Sequence, residues 1–303
     1  MRPKIRASEL TRRVDAKREE ILKSEGETPI GQRLYMRQVG AYSQTKLDLI
    51  AKYLYAYSMV LSKYFRRFWY LETCSGPGVC SIRGSGRIVL GTPMLAMTNE
   101  PRFTGYRFIE ISRKSYKALR DRRGRYCPEV DFESVRCDCN SCIGEVLKAL
   151  PPRDPVFIVM DPQGLELKWN DVVVPAASAE HSELLINFPY YMGIRRCLSP
   201  NQNEATSRSV TEYFGSDAWM EWRDRCFEKE ISQEELRDAL LKMYVDGLVG
   251  LGLPHVQVSP LVTGDKNQPL YHLIFASRKD VGKRIIADIM NIDTTSQTTL
   301  PLS

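Results

Sequence analysis

The residues best suited to chemistry in this 303-residue chain are acids and glycines that follow short apolar runs. Glu72-Thr73-Cys74-Ser75-Gly76-Pro77-Gly78-Val79-Cys80 comes directly after Phe68-Trp69-Tyr70-Leu71, and Glu110 ends the run Tyr106-Arg107-Phe108-Ile109. Asp138 follows Phe132–Val135, Asp161-Pro162-Gln163-Gly164 follows Val156–Met160, and Asn187-Phe188-Pro189-Tyr190 follows Leu184-Leu185-Ile186. Gly76 and Gly78 let the backbone turn sharply and let a ligand approach where a Cβ would intrude. A carboxylate at the place of Glu110 is suited to accepting hydrogen bonds from ribose hydroxyls. No G-x-G-x-x-G runs into a helix, so the usual cradle for a pyrophosphate is missing. Glu72, Glu110, Asp138 and Asp161 instead form an acidic set that suits a ribose and a sulfonium, an adenosine with a cationic tail rather than a dinucleotide. Taken singly, a Gly-x-Gly is usually a turn and an acid after a strand is often a helix cap. Their recurrence after successive runs is what points to one ligand.

The elements that must position these residues follow from periodicity. Residues 7–24 predict a charged helix with Ser8 as its N-cap and a thin stripe of Leu10, Val14, Ile21 and Leu22. Ser24–Gly31 has the composition of a linker. Apolar residues from Ser43 to about Phe65 recur at helical spacing (Leu47, Ile50, Ala51, Leu54, Met59, Leu61) and predict a long amphipathic helix. The five apolar runs then alternate with helical segments at about 92–99, 113–122, 142–150 and 169–179. That alternation predicts a parallel sheet with helices on both faces, and near-continuous apolar runs suit strands buried on both sides. Residues 204–250 read as helical. Two more strands follow, His255–Pro260 and Leu270–Ala276, as an antiparallel hairpin around Thr263–Asn267, and a final helix is expected at 280–290. The predicted fold is therefore α/β and doubly wound, with a mostly parallel sheet. Residues 1–42 are expected as an N-terminal helical extension, and residues 43–295 as one domain with a helical insertion at about 200–252, before the last two strands.

Composition narrows the setting. There are 43 Lys and Arg against 37 Asp and Glu, a formal charge of +6, which permits a nucleic-acid partner without requiring one. The basic clusters Arg2–Arg18, Arg113–Arg125 and Arg195–Arg196 are each read first as solvated faces. The N-terminus is too charged for a secretory signal, and no stretch is apolar enough to cross a bilayer, so a cytoplasmic protein without membrane contact is expected. Cys127, Cys137, Cys139 and Cys142 crowd into sixteen residues. The two-residue step from Cys137 to Cys139 is tight for a zinc knuckle, so buried or disulfide-linked thiols are favoured over a metal site.

The ordered motifs resemble the three-Cys-motif partner protein family, a branch of class I methyltransferase-like proteins. The resemblance rests on Thr45-Lys46-Leu47 with Lys52-Tyr53-Leu54, Cys74–Gly78, Gly91-Thr92-Pro93, Glu110, Asp138-Cys139-Asn140, Asp161–Gly164, Asn187-Phe188-Pro189, Phe214-Gly215 and Leu270–Ala276. It spans about residues 43 to 290. The three cysteines of the family's name belong to its neighbour protein, so Cys137–Cys142 gains no support from it. The resemblance implies a Rossmann-like class I methyltransferase fold, an S-adenosylmethionine pocket and a partner protein. Carried over by position, it implies Gly76 and Gly78 at the methionine part, Glu110 at the ribose, Asp138 at the adenine edge and Asp161 facing the transferring methyl group.

Methyl transfer depends mainly on placing a nucleophile in line with the sulfonium. Enzymes that methylate base amino groups often carry Asp/Asn-Pro-Pro-Tyr/Phe after the fourth strand. Asp161-Pro162-Gln163-Gly164 begins that way but lacks the aromatic; Asn187-Phe188-Pro189-Tyr190 has the aromatic one strand later. Asp161, Asn187 and Tyr190 are the catalytic candidates. Tyr190 and Tyr191 would stack a base and Arg195-Arg196 would meet phosphate; alternatively Phe188 and Tyr190 pack between sheet and insertion. A methyltransferase acting on a nucleic-acid base is the first expectation. A non-catalytic accessory protein that retains the fold is the second, and a metal-dependent nuclease using the four acids a weaker third.

Overall fold

The computed structural model describes residues 7–199, 202–264 and 268–280. Residues 281–290 of the helix expected at 280–290 lie outside the described residues, as do Asp265–Asn267 of the expected hairpin turn. The chain divides into two compact units, Met1–Asp138 with Asp154–Val156, and Cys139–Arg153 with Phe157–Ser303.

The first unit begins with α1 (Ala7–Glu27), which runs three residues further than its apolar stripe predicts and takes up half of the expected linker. After a short turn at Ile30–Gln32 come β1 (Arg37–Val39) and α2 (Ser43–Tyr64), whose buried face is Leu47, Ile50, Tyr53, Leu54, Tyr57 and Leu61. The strands β2 (Trp69–Glu72), β5 (Gly105–Ile109) and β6 (Phe132–Val135) are parallel, in register Trp69 with Gly105 and Tyr106 with Phe132. All four residues of β2 are buried, as expected of a strand covered on both faces. Tyr70, Phe103, Tyr106 and Phe108 form an aromatic cluster with ring centroids 5.5–6.4 Å apart. Helices α3 (Thr92–Met97) and α4 (Arg113–Tyr126) follow their predicted places, with Ser112 capping α4.

Sequence periodicity does not foresee a second, three-stranded sheet in this unit. There β3 (Val79–Ile82) pairs in parallel with β1 and antiparallel with β4 (Ile88–Leu90). The glycine loop thus runs into a strand, not a helix. These strands are too short to show a period. The signal was the turn Arg83-Gly84-Ser85-Gly86-Arg87 between two apolar stretches, which is hairpin chemistry.

The second unit starts with α5 (Cys139–Lys148), three residues earlier than predicted, so Asp138 stands immediately before a helix. Its strands run in the order β7 (Val156–Met160), β8 (Ser182–Phe188), β11 (Pro269–Ser277), with β9 (His255–Val258) and β10 (Val262–Thr263) both antiparallel along the far side of β11. Strands β8 and β11 are also antiparallel, with Phe188 opposite His272. Between β7 and β8 the expected helix is a π-helical turn (Trp169–Val173) leading into α6 (Val174–Ser178). The helical insertion is three helices: α7 (Glu204–Phe214) capped by Asn203, α8 (Trp219–Phe227), and α9 (Gln233–Gly250), which opens with a Ser232–Glu235 capping box. Tyr213, Phe214 and Tyr244 of this insertion pack on Phe188, at ring separations of 5.5–6.3 Å. The fold is α/β with a mainly parallel central sheet, Rossmann-like, and the insertion precedes the last strands as predicted.

Cys137 and Cys142 are disulfide-bonded, whereas Cys127 and Cys139 are buried thiols. Among the described residues no group of three or more His, Cys, Asp or Glu is arranged to hold a metal ion, and no helix is long and apolar enough to cross a membrane.

Candidate functional site

Strand β2 delivers the glycine loop, and β5 delivers the acid that organises it. Glu110 is almost fully buried. Its Oε2 accepts the Gly76 N–H at 2.6 Å and its Oε1 accepts the Ser112 N–H at 2.7 Å. Each oxygen keeps a further lone pair, so the carboxylate still has acceptor capacity. Gly76 and Gly78 both have positive φ, +67° and +82°. They serve different ends. A Cβ on Gly78 would lie 3.0 Å from Leu119 Cδ1 and 3.1 Å from Met94 Cγ, so Gly78 allows the loop to pack onto α3 and α4. A Cβ on Gly76 would meet only the Arg37 guanidinium, 3.6 Å away.

Glu72, expected as a cofactor contact, is instead sealed in the core with no exposed surface. It accepts hydrogen bonds from Tyr70 Oη and Thr92 Oγ1, which tie the end of β2 to the start of α3. A carboxylate enclosed in this way holds the strand end. Asp138 is exposed, one residue ahead of α5.

Two arginines that sequence reasoning missed complete this site. Arg37, from β1, places Nη2 3.7 Å from Glu110 Oε2. Arg122, inside the basic run read as a solvated face, has no exposed surface at all. Its Nε and Nη2 donate to the two oxygens of Glu25 on α1 at 3.0 and 2.8 Å, and its Nη1 donates to the carbonyls of Tyr35 and Pro77, both at 2.8 Å. Tyr126 Oη adds a hydrogen bond to Glu25 Oε1. Neither arginine carries a local signal, because Arg37 stands in an unpatterned stretch and Arg122 is one basic residue among several.

In the second unit the structure brings Asp161 and Asn187 together. Asn187 Nδ2 donates to Asp161 Oδ1 at 2.8 Å and more loosely to the Pro162 carbonyl at 3.4 Å. Two acceptors on one side fix the orientation of the amide. Asn187 Oδ1 is consequently turned away from both, buried, and without a hydrogen-bond partner among the described residues. A buried acceptor of this kind is uncommon in folded proteins and marks a place where a donor is wanted. The loop after β7 is held by Asn140, whose Nδ2 donates to the Glu166 carbonyl at 2.8 Å and whose Oδ1 accepts the Lys168 N–H at 2.9 Å.

Tyr190, expected to stack on a substrate, is 2% exposed, and its hydroxyl donates to the Gln233 carbonyl of α9 at 3.4 Å. Burial raises its pKa. Of the two readings of this loop, packing against the insertion describes both Phe188 and Tyr190. Tyr191 is the partly exposed aromatic, and the Arg195 guanidinium lies 5.5 Å over its ring. Tyr190–Ile194 forms a π-helical turn, a distortion frequent at functional sites. Nearby, Gly164, Glu166, Gly193, Arg196, Asn203 and Thr206 line an open cavity of about 640 Å³.

No family model matches the sequence, and no curated protein matches it. Solved structures do match in fold. The protein LPL1258 of Legionella pneumophila aligns at 10% identity over 82% of this chain and 91% of its own, with a TM-score of 0.52. Looser likenesses are the METTL16 methyltransferase domain (11% identity, 89% of this chain and 82% of that one, TM-score 0.45) and cofactor-bound Rv0187 from MTB (15%, 88% and 90%, TM-score 0.40). At such identities the likeness concerns the fold.

Proposed function

We propose that this chain is an S-adenosylmethionine-dependent methyltransferase whose acceptor is an amino nitrogen, most suitably on a nucleic-acid base. The observation that carries the acceptor class is Asn187 Oδ1. It can only accept, it is buried, and it has no donor among the described residues, so an N–H of the substrate would complete it. A carboxylate acceptor would bring no donor to this position.

The residues present also fit the cofactor. Glu110 is a buried carboxylate with lone pairs to spare, as ribose hydroxyls require, and it orders the turn at Gly76. Asp138 is placed for the adenine edge by the resemblance described above. Bound S-adenosylmethionine supplies an electrophilic methyl group. Asn187 would hold the acceptor N–H and so orient the nitrogen lone pair, and Asp161 would keep the Asn187 amide from flipping. A nitrogen–carbon bond forms as the sulfur–carbon bond breaks, and one proton leaves the nitrogen for solvent. Tyr191 and Arg195 support a nucleic-acid substrate, since an aromatic beside a guanidinium is a surface for a base and a phosphate. In this reading residues 43–295 act as one methyltransferase-like domain, and a partner protein remains part of the proposal through the three-Cys-motif resemblance.

A second reading, a non-catalytic accessory protein with the same fold, draws on the burial of Tyr190 and the missing aromatic in Asp161–Gly164. The metal-dependent nuclease alternative gains nothing, since no acid cluster is arranged for an ion among the described residues.

Calorimetric titration with S-adenosylmethionine, for wild type and for the Glu110→Ala, Asp138→Ala double variant, is the first test. Binding that the double variant loses supports the cofactor site. Transfer of labelled methyl to RNA or DNA, lost by at least about 100-fold in Asn187→Leu with cofactor binding unchanged, supports the acceptor role. A folded wild type that does not bind the cofactor overturns the enzyme reading and leaves the accessory protein.

A further inference from the structure

We propose that Lys63, Tyr64 and Arg66, where α2 ends, form a contact surface for single-stranded nucleic acid, with Tyr64 as the stacking platform and the two cations as phosphate contacts. The surface goes beyond the methyltransferase reading and does not depend on it. These residues precede β2, whereas the glycine loop follows β2, so the two sites stand at opposite ends of that strand.

The buried face of α2 ends at Leu61, and the helix stops where Phe65 takes extended backbone, φ −124° and ψ 137°. Tyr64 therefore has no part in the core; it is 76% exposed. Lys63 and Arg66 are exposed as well. Among the described residues no hydrogen bond, ion pair or ring contact engages any of these three side chains. Arg67 next to them is different. Its Nε lies 3.0 Å from Asp154 Oδ2, which also accepts the Trp69 Nε1–H at 3.0 Å. Asp154 is thus committed to Arg67 and Trp69.

Arg66 lines a cavity of about 790 Å³ together with Phe65, Phe68, Pro101, Arg102 and Thr104. The carboxylates of Glu100 and Glu129 are both held by Arg102, at 2.8 and 2.6 Å, so neither is left to neutralise Arg66. Thr104 Oγ1 accepts the Phe68 N–H at 3.1 Å and keeps its own proton to donate. An uncommitted cation and a hydroxyl donor beside aromatic and proline walls suit a ligand that is anionic on one side and flat on another. A nucleotide is such a ligand, through its phosphate and its base. An acidic peptide would satisfy Lys63 and Arg66 but leave the Tyr64 ring unused, whereas successive bases stack on aromatic rings beside a positively charged groove.

The test is fluorescence anisotropy of labelled single-stranded RNA and DNA, each of about 12 nucleotides, titrated with the full chain. Binding of either by wild type supports the surface, and the tighter of the two identifies its ligand. Tyr64→Ala should weaken binding by about 5- to 100-fold, the worth of one stacked base, and Tyr64→Trp should retain it. Between about 50 and 200 mM salt, Lys63→Gln with Arg66→Gln should lower the slope of log K against log salt by about 1.4, two single-strand phosphate contacts. All three side chains are exposed, so these variants should melt with wild type. If Tyr64→Ala does not, Tyr64→Leu replaces it, which keeps apolar bulk but loses the flat face, with the same loss expected. Polyglutamate serves as the competitor. Its displacing the nucleic acid equally well from wild type and from Tyr64→Ala, with no loss of affinity in that variant, would show a surface for acidic polypeptide and overturn the proposal. No binding by wild type at about 50 mM salt, or binding that none of the substitutions changes, overturns it too.

Discussion

Arg122 and Glu25, 97 positions apart, form a bidentate ion pair with essentially no exposed surface on either side chain. The pair joins the first helix to the glycine loop through the Pro77 carbonyl. Breaking it from one side leaves a buried charge uncompensated, which costs far more than the pair itself contributes. Glu25→Ala is expected to destabilise the chain by about 3–5 kcal/mol in chemical denaturation. The double variant Glu25→Leu, Arg122→Met should recover a large part of that loss. A cost below about 1 kcal/mol for Glu25→Ala would mean that water reaches Arg122.

Gly78 and Gly84 separate backbone strain from packing. Both have positive φ, +82° and +88°, yet a Cβ on Gly84 meets nothing within 4 Å. Gly84→Ala is expected to cost about 1–2 kcal/mol, the penalty of a left-handed conformation alone. Gly78→Ala adds the contact with Leu119 and Met94 and should cost at least about 1 kcal/mol more. Equal losses in thermal unfolding would show that the loop moves aside.

His272 predicts the acid side of the stability profile. It lies in β11, buried, with Nδ1 3.0 Å from the Ser259 carbonyl and Nε2 without a partner among the described residues. Burial lowers its pKa below the ordinary 6.5, against the smaller opposing effect of the Ser259 carbonyl; Arg237 lowers it further and Asp238 raises it. The folded chain therefore takes up this proton less readily than the unfolded one. Its contribution is complete above about pH 6.5 and is lost as pH falls below that value. Melting temperatures between pH 7.5 and 5.5 should fall more for wild type than for His272→Gln, and parallel profiles would refute the assignment.

The cysteines differ sharply in expected reactivity. Burial, reinforced by Glu129, pushes the Cys127 thiol up to about 11, whereas Cys197 is partly exposed and its thiol, raised by burial, is opposed by Arg196. Iodoacetamide at pH 8 should label Cys197 in the native chain and spare Cys127 until it unfolds, because the thiolate is the reacting species. Labels on Cys137 and Cys142 should appear only after reduction. Peptide mass mapping over time checks both, and early labelling of Cys127 would show that its pocket opens in the folded state.

Much of the fold was legible because its strands and helices are regular over enough residues to show a period. The runs 156–160 and 132–135 appear as β7 and β6 with unchanged bounds, and α2 and α4 begin where the pattern placed them. The three-residue β1 and β4 escaped because a strand so short has no period to detect. Of the site, Glu110 and the turn at Gly76 were visible as an acid and a glycine after apolar runs. Glu72 and Tyr190 looked the same as those residues in sequence, and only burial distinguishes them.

What the sequence determined by itself is local: which of the longer segments are strands and helices, and where the acids and glycines fall after them. What only the tertiary structure decided is which of those groups are sealed, which are paired, and which remain unsatisfied. Arg122 became a buried hub through Glu25 and Pro77, Arg37 came to cover Gly76 through a strand pairing, and the Asn187 oxygen was left without a donor because Asp161 and Pro162 claimed the other end of its amide. The reason is physical: desolvation and hydrogen-bond satisfaction depend on groups distant in the chain, and no local pattern of residue types encodes them.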